Sequence, residues 1–186
     1  MKQRILLLLG AFLLVLSTEN IFAQNKKSIY AGFGVSTKEA LMPRVGYMIN
    51  SFGVEGCIKI DCLQTFMSKE LEKIDGKYHQ VAFMGGLTWM PVSGFTITAN
   101  VGYGTVGDYK YDAVEKEAVI VNKRKGLAGG ASITIYPFFM SGYYHAGDAD
   151  ALGYGIFFNY TAIPAFGGNK PLSDFSFGFI YSLNLK

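Results

Sequence analysis

Arg44, Glu55, Lys59 and Asp61 are the charged residues whose spacing could do chemistry. Glu55, Lys59 and Asp61 share one parity, so in an extended strand they project from one face. Two readings follow. In the first, the four residues line a narrow aqueous constriction and select ions. In the second, they pair inside a packed interior, where buried charge must be neutralised. Ser141 and His145 are the nearest nucleophile and base in sequence. In a strand that spacing holds them roughly 13 Å apart at ~3.3 Å per residue, beyond hydrogen-bond reach. Residues 102–107, Gly-Tyr-Gly-Thr-Val-Gly, match the GxGxxG spacing. The polar and aromatic alternation after them offers no helix N-terminus for a pyrophosphate. Cys57 and Cys62 fall on opposite faces of one strand and form no CxxC motif. Neither a cofactor nor a metal site is expected.

The elements that must position these residues have a period of two. Ile29, Ala31, Phe33 and Val35 alternate with Tyr30, Gly32, Gly34 and Ser36. The same alternation runs through Phe52–Cys62, Val81–Trp89, Phe95–Tyr103, Leu127–Ile135 and Phe175–Leu185. Strict alternation over ten or so residues predicts strands with one apolar face and one small or polar face. Their length approaches the ~9–11 residues that cross a bilayer, against ~5–6 in soluble sheets. The small-residue face is rich in Gly, Ser, Thr and Asn. That is an inverted barrel, with large apolar side chains toward lipid and small or polar ones in the lumen.

The start of the chain fits export. Lys2 and Arg4 precede twelve residues, 5–16, that are apolar apart from Gly10, and Ala23 suits the position before a cut. Twelve residues match a signal peptide's ~7–15-residue apolar region rather than the ~20 of a spanning helix. Residues 1–23 are therefore expected to be a signal peptide and 24–186 the barrel. Without Lys2, Arg4 and Glu19, the chain's 17 basic and 14 acidic residues become 15 and 13. Such near-neutrality leaves no electrostatic footprint for nucleic acid.

The connections divide into short and long. Residues 50–51, 91–94 and 136–137 read as tight turns, while 67–77 and 110–125 read as long charged loops. Short periplasmic turns and longer outer loops are the expected asymmetry. Tyr47, Phe52, Trp89, Phe95, Tyr136, Phe138 and Phe139 flank the tight turns, as an interfacial aromatic girdle would. The loop 110–125 holds an apolar run, 118–121, followed by Lys123, Arg124 and Lys125. The run could extend a hairpin above the membrane and offer an edge to another protein, and the basic trio could meet lipopolysaccharide phosphates. An ordinary solvated loop is the simpler expectation. Strands are expected near 28–36, 41–49, 52–66, 77–90, 95–109, 125–136, 151–162 and 173–185. Eight strands are thus expected, with ten as the alternative if 138–146 pairs with a further strand near 163–170.

The last strand resembles the C-terminal assembly signal of outer-membrane barrels, with Ser176, Gly178, Tyr181 and Leu183 in the matching positions. The chain ends Asn184-Leu185-Lys186, where many such proteins end on Phe. From residue 24 onward the sequence resembles the small outer-membrane barrels of the outer-membrane protein A and X type. That resemblance implies a Gram-negative outer membrane, surrounding lipid and lipopolysaccharide, and recognition by the barrel-assembly machinery. Three functions are then open. One is a non-enzymatic structural or interaction barrel whose outer loops contact a protein or another surface ligand. The second is a narrow diffusion channel, and the third is a lipid-modifying enzyme using Ser141 or His145.

Overall fold

The computed structural model describes residues 27–61, 74–92, 94–136, 153–163 and 171–185. The strands are β1 (Lys27–Ser36), β2 (Ala40–Ile49), β3 (Phe52–Asp61), β4 (Tyr78–Val92), β5 (Phe95–Asp112), β6 (Glu117–Ile135), β7 (Gly153–Ile163) and β8 (Leu172–Leu185). Each pairs antiparallel with the next, and β8 closes on β1 from Lys27↔Leu185 to Ser36↔Ser176. The barrel therefore has eight strands, and the ten-strand alternative is overturned by this direct closure. Following paired residues from Ile29 through Tyr47, Val54, Leu87, Ala99, Ala131, Tyr160 and Phe175 leads back to β1 at Thr37, eight residues beyond the start. A stagger of that kind tilts strands by ~35–45° and leaves an interior just wide enough for side chains.

The wall is inverted, as its alternation requires. Val45, Val54, Phe83, Leu87, Val101, Phe158, Phe175 and Phe179 stand exposed on the outside, while Arg44, Glu55, Lys59, Asn100, Asn159 and Asp174 are buried inside. No water-facing protein would leave so large an apolar belt uncovered. Phe52, Trp89 and Phe95 mark the end that carries both chain termini. At that end Tyr154 and Tyr181 meet edge to face at 4.9 Å.

The interior is less polar than the alternation predicts. Tyr30, Met42, Met48, Met84, Phe157 and Ile180 are buried there in one apolar cluster. The lumen glycines are the counterpart of these large residues. A Cβ on Gly46 would fall 2.1 Å from the Tyr30 ring, and one on Gly34 would fall 2.5 Å from Phe157. Tyr136, expected in the outer girdle, instead belongs to this cluster at 5% exposure. It packs where a Cβ on Gly155 would meet its ring at 2.9 Å.

The connections also depart from expectation. The β1–β2 link at the outer end is only Thr37-Lys38-Glu39, tied by Ser36 Oγ accepting from the amides of Lys38 (3.2 Å) and Ala40 (3.0 Å). Glu39 takes φ 59° to close it. The expected loop 110–125 is mostly strand, because β5 runs to Asp112 and β6 starts at Glu117. Asp112 Oδ1 caps the tip by accepting from the amides of Val114 (2.9 Å) and Glu115 (3.3 Å). Of the expected tight turn at 136–137 only Tyr136 is described, and the next described strand, β7, begins at Gly153. Residues 138–146, Phe138 and Phe139 among them, and the signal-like residues 1–23 lie outside the described residues.

Closure of the wall tests this packing. A Cβ on Gly178 would lie 2.2 Å from the Phe33 carbonyl oxygen and 2.4 Å from Gly34 Cα. Backbone cannot retreat as a flexible side chain can, so Gly178→Ala is expected to destabilise the barrel by about 1–3 kcal/mol. Urea unfolding of the refolded chain in detergent micelles measures this; an unshifted midpoint would refute the close β1–β8 packing.

Candidate functional site

The lumen carries three polar layers. The deepest is built on Arg44 from β2 and Glu55 from β3. Their parity turns both inward, at 3% and 5% exposure. Arg44 donates to Glu55 Oε2 through Nε at 3.0 Å and also through its Nη2, which donates to Ser132 Oγ at 2.8 Å. Tyr30 donates to the same Glu55 oxygen at 3.0 Å, and its hydroxyl meets Thr88 Oγ1, which meets Thr98 Oγ1. Asn100 Nδ2 reaches Glu55 Oε1 at 3.5 Å. The guanidinium lies over the Phe157 ring, 4.4 Å from its centroid. One ion pair thus gathers side chains from β1 to β7. Such a pair repays its desolvation only when further hydrogen bonds surround it.

The middle layer joins β3 to β8. Lys59 Nζ lies 2.7 Å from Asp174 Oδ2, with both side chains essentially inaccessible. Asp174 also accepts from Thr37 Oγ1 at 2.7 Å and Gln80 Nε2 at 3.3 Å. Lys59 does not pair with its sequence neighbours Glu55 and Asp61. Its partner lies 115 positions along the chain, brought there by barrel closure alone.

Asp61 belongs to a third cluster at the outer end. Its Oδ2 is 2.9 Å from His79 Nδ1 and accepts from the Gln80 amide at 2.8 Å. Its Oδ1 accepts from Tyr109 at 2.7 Å. The Tyr109 and His79 rings meet edge on at 5.8 Å. Ile74 packs on Tyr109 with Tyr111, Ala118 and Ile120, so the segment before β4 lies against the base of the protruding hairpin. Gly76 donates to the Tyr109 carbonyl, and Tyr109 donates to that of Lys77.

The four residues read as one charge cluster are therefore divided among three layers. Sequence reasoning missed Asp174, Tyr30, Ser132, His79 and Tyr109. Asp174 carries a legible signal, since it shares the lumen parity of Ser176 and Gly178 on β8. Arg44's bond to Ser132 carries none, because it depends on the stagger of strands far apart in sequence. Cys57 is a free, buried thiol, and Cys62 lies outside the described residues. The GxGxxG residues sit within β5, and a Cβ on Gly102 would strike the Phe83 carbonyl oxygen at 1.9 Å. Ser176 and Gly178 face inward, whereas Leu183 faces out. Ser141 and His145 lie outside the described residues.

Outside the lumen the prominent feature is the β5–β6 hairpin. β6 has 19 residues but pairs with β7 only from Gly129 to Ile135. Residues 117–128 precede its described pairing with β7 and pair with β5. A bulge between Val106 and Asp108 bends the extension, with Asn122 at φ 52° and its side chain donating to Asp108 at 2.9 Å. Lys123 and Lys125 are exposed at its foot and Arg124 is half-buried.

An eight-stranded inverted barrel with a side-chain-filled interior and a protruding hairpin defines a small outer-membrane barrel protein, and this chain has that fold and that location. Two solved structures share the fold, and a third aligns more loosely. The attachment invasion locus protein Ail of Yersinia pestis aligns with TM-score 0.54 at 16% identity, covering 86% of this chain and 99% of that one. The same protein in complex with the heparin analogue sucrose octasulfate aligns with TM-score 0.53 at 15% identity, over 86% and 99%. The N-terminal β-barrel domain of Pseudomonas aeruginosa OprF aligns with TM-score 0.45 at 10% identity, over 87% and 98%. No protein-family profile and no curated protein matches the sequence.

The deepest layer makes a sharp energetic prediction. Glu55→Ala leaves Arg44 charged and uncompensated, a change expected to cost about 3–5 kcal/mol. Arg44→Met combined with Glu55→Leu removes both charges and should recover most of that loss. Guanidinium unfolding of the wild type and the two variants in micelles measures the loss and its recovery. A double variant as unstable as Glu55→Ala would show that the pair's geometry, not its charge balance, holds the lumen.

Proposed function

We propose that this chain is a non-enzymatic outer-membrane barrel that works through surface contacts, with the β5–β6 hairpin as its contact element. The observation that carries this reading is the length of the hairpin itself, 18 residues of β5 and 19 of β6 that pair with each other out to Asp112 and Glu117. A hairpin that projects this far presents strand surface and side chains on which an extended segment of another protein could dock. Val114 at the tip is 90% exposed, so the hairpin also offers an apolar contact to solvent.

A second contact at the same place is favoured by Lys123 and Lys125, exposed where the hairpin leaves the wall. Two cations there suit a phosphate or sulfate polyanion, whether lipopolysaccharide or a sulfated surface polysaccharide. The complex of Ail with sucrose octasulfate supports testing the latter on this chain.

The channel and enzyme alternatives have less support. Lumen side chains buried from β1 to β8 leave little room for a solute path. Among the described residues the partners found for His79 are Asp61 and Tyr109, a carboxylate and a phenol. A nucleophile in reach of the base is what hydrolysis would require. Ser176, Gly178, Tyr181 and Leu183 remain our proposed contact for the barrel-assembly machinery.

Two measurements test the reading. Residues 109–120 can be replaced by an Asn-Gly turn joining Asp108 and Val121, which already face each other across the ladder. The shortened chain should still assemble as a heat-modifiable barrel, while cells carrying it lose adhesion to immobilised matrix proteins; heparin binding should fall instead in Lys123→Gln with Lys125→Gln. Failure to assemble, or adhesion that persists, counts against the hairpin. In planar bilayers the refolded protein should pass no discrete ion-selective current; stepwise conductance would promote the channel instead.

A further inference from the structure

Three donors of different chemistry meet at the outer end of the barrel. The Asp61 carboxylate closes β3, the His79 imidazole stands at the start of β4, and the Tyr109 phenol comes from β5 at the base of the hairpin. Asp61 Oδ2 is 2.9 Å from His79 Nδ1, and Asp61 Oδ1 is 2.7 Å from the Tyr109 hydroxyl. That hydroxyl is 3.4 Å from the same Nδ1. Each of the three groups therefore touches the other two.

Hydrogen bonding alone leaves this triangle incomplete. Nδ1 carries either one proton or one lone pair. When it donates to Asp61 it has nothing to offer the Tyr109 hydroxyl, whose own proton also goes to Asp61. At 3.4 Å the third contact lies outside the range of a good hydrogen bond. A metal ion fills all three contacts at once. Ligand atoms ~2.0–2.2 Å from a tetrahedral ion lie roughly 3.3 Å from one another, so the two shorter contacts need to open by only about half an ångström.

The surroundings suit a cation. Glu55 faces Arg44 and Asp174 faces Lys59, whereas the ion-pair partner of Asp61 is an imidazole, uncharged unless protonated. A carboxylate and a phenolate together match a divalent charge. The donors are also held in place. The Gln80 amide donates to Asp61 Oδ2 at 2.8 Å, the Tyr109 main chain is bonded to Gly76 and Lys77, and Ile74 packs on the Tyr109 ring. Partners of this kind orient ligands before an ion arrives. The Asp61 side chain is 4% exposed and that of His79 14%, so the cluster is sheltered yet open at the imidazole. No three His, Cys, Asp or Glu side chains gather among the described residues, so the phenol is what completes the set.

We propose that Asp61, His79 and Tyr109 bind a divalent transition-metal ion of the zinc–copper class, with water in the fourth position. One nitrogen and two oxygens suit these ions better than calcium or magnesium, which take oxygen alone. On binding, the phenolic proton leaves to solvent, and His79 keeps its proton on Nε2 so that Nδ1 presents its lone pair. The bound ion pins β5 to β3 and β4 where the hairpin leaves the wall.

The test uses the full chain extracted from outer membranes in mild detergent, stripped with a chelator and dialysed against zinc or copper(II). Wild type should take up one ion of either per barrel, and copper should add a visible phenolate-to-metal charge-transfer band. Asp61→Asn, His79→Ala and Tyr109→Phe should each weaken zinc binding roughly tenfold or more. Tyr109→Phe keeps its ring on Ile74, so it should stay heat-modifiable while losing the copper band. Zinc held equally by His79→Ala would place the ion elsewhere on the chain and overturn the proposal, as would copper bound without the band. Should the Asp61 or His79 variant fail to fold, Tyr109→Phe decides alone, and undiminished zinc on it overturns the proposal.

Discussion

Everything in this molecule depends on the closure of β8 on β1. With eight strands and a stagger of eight residues, the radius is set by backbone hydrogen bonding before any side chain is chosen. The lipid outside gives no help in holding the wall shut, because hydrocarbon competes equally for every apolar side chain that faces it. What remains is the ladder itself and the filling of the lumen. The lumen is accordingly packed as a complement of large and small. Phe157 occupies the space that Gly34 and Gly178 leave, Tyr30 that of Gly46, and Ile163 that of Gly104. The glycines are required by their partners across the barrel more than by local conformation.

Closure also decides the electrostatics. An interior this narrow cannot hydrate an ion fully, so each charge needs a partner within reach. Arg44 and Glu55 come from adjacent strands and find each other early in the wall. Lys59 and Asp174 come from β3 and β8, and their pairing requires both ends of the chain to be in place. The first pair can form in an open sheet; the second belongs to the closed barrel. In that sense Lys59–Asp174 is an electrostatic latch on the same seam that the β1–β8 ladder fastens.

The division between what the sequence makes legible and what it does not follows the same line. Alternation reveals strands and their inner and outer faces, because each side chain's face depends only on its own parity. The inward placement of Arg44, Glu55 and Lys59 was therefore readable, and so was the strand number. Partner identity was not, since Lys59–Asp174 and Arg44–Ser132 depend on the accumulated stagger of the sheet. Tyr136 was misplaced because an aromatic beside a turn looks the same whether it faces lipid or folds under the barrel. Residues 110–125 were misread as a loop because charge dominates their composition. Yet Tyr109 against Ile120 and Tyr111 against Ala118 still form a ladder, and pairing needs only backbone.

That hairpin is where the constraint relaxes. Above the membrane the strands no longer have a lumen to fill or a seam to close, and β5 and β6 continue there as a ladder of their own. Their extension is steadied on one side by Ile74 and the Asp61–His79–Tyr109 cluster, which ties it to the ends of β3 and β4. On the other side the edge keeps the features that restrain indiscriminate pairing: a bulge that bends it at Asn122 and a cluster of lysines at its foot. Such devices blunt a strand edge. A projecting hairpin that is supported on one face, bent and charged on the other resists pairing with strands at random. A flat apolar edge would instead accept any strand.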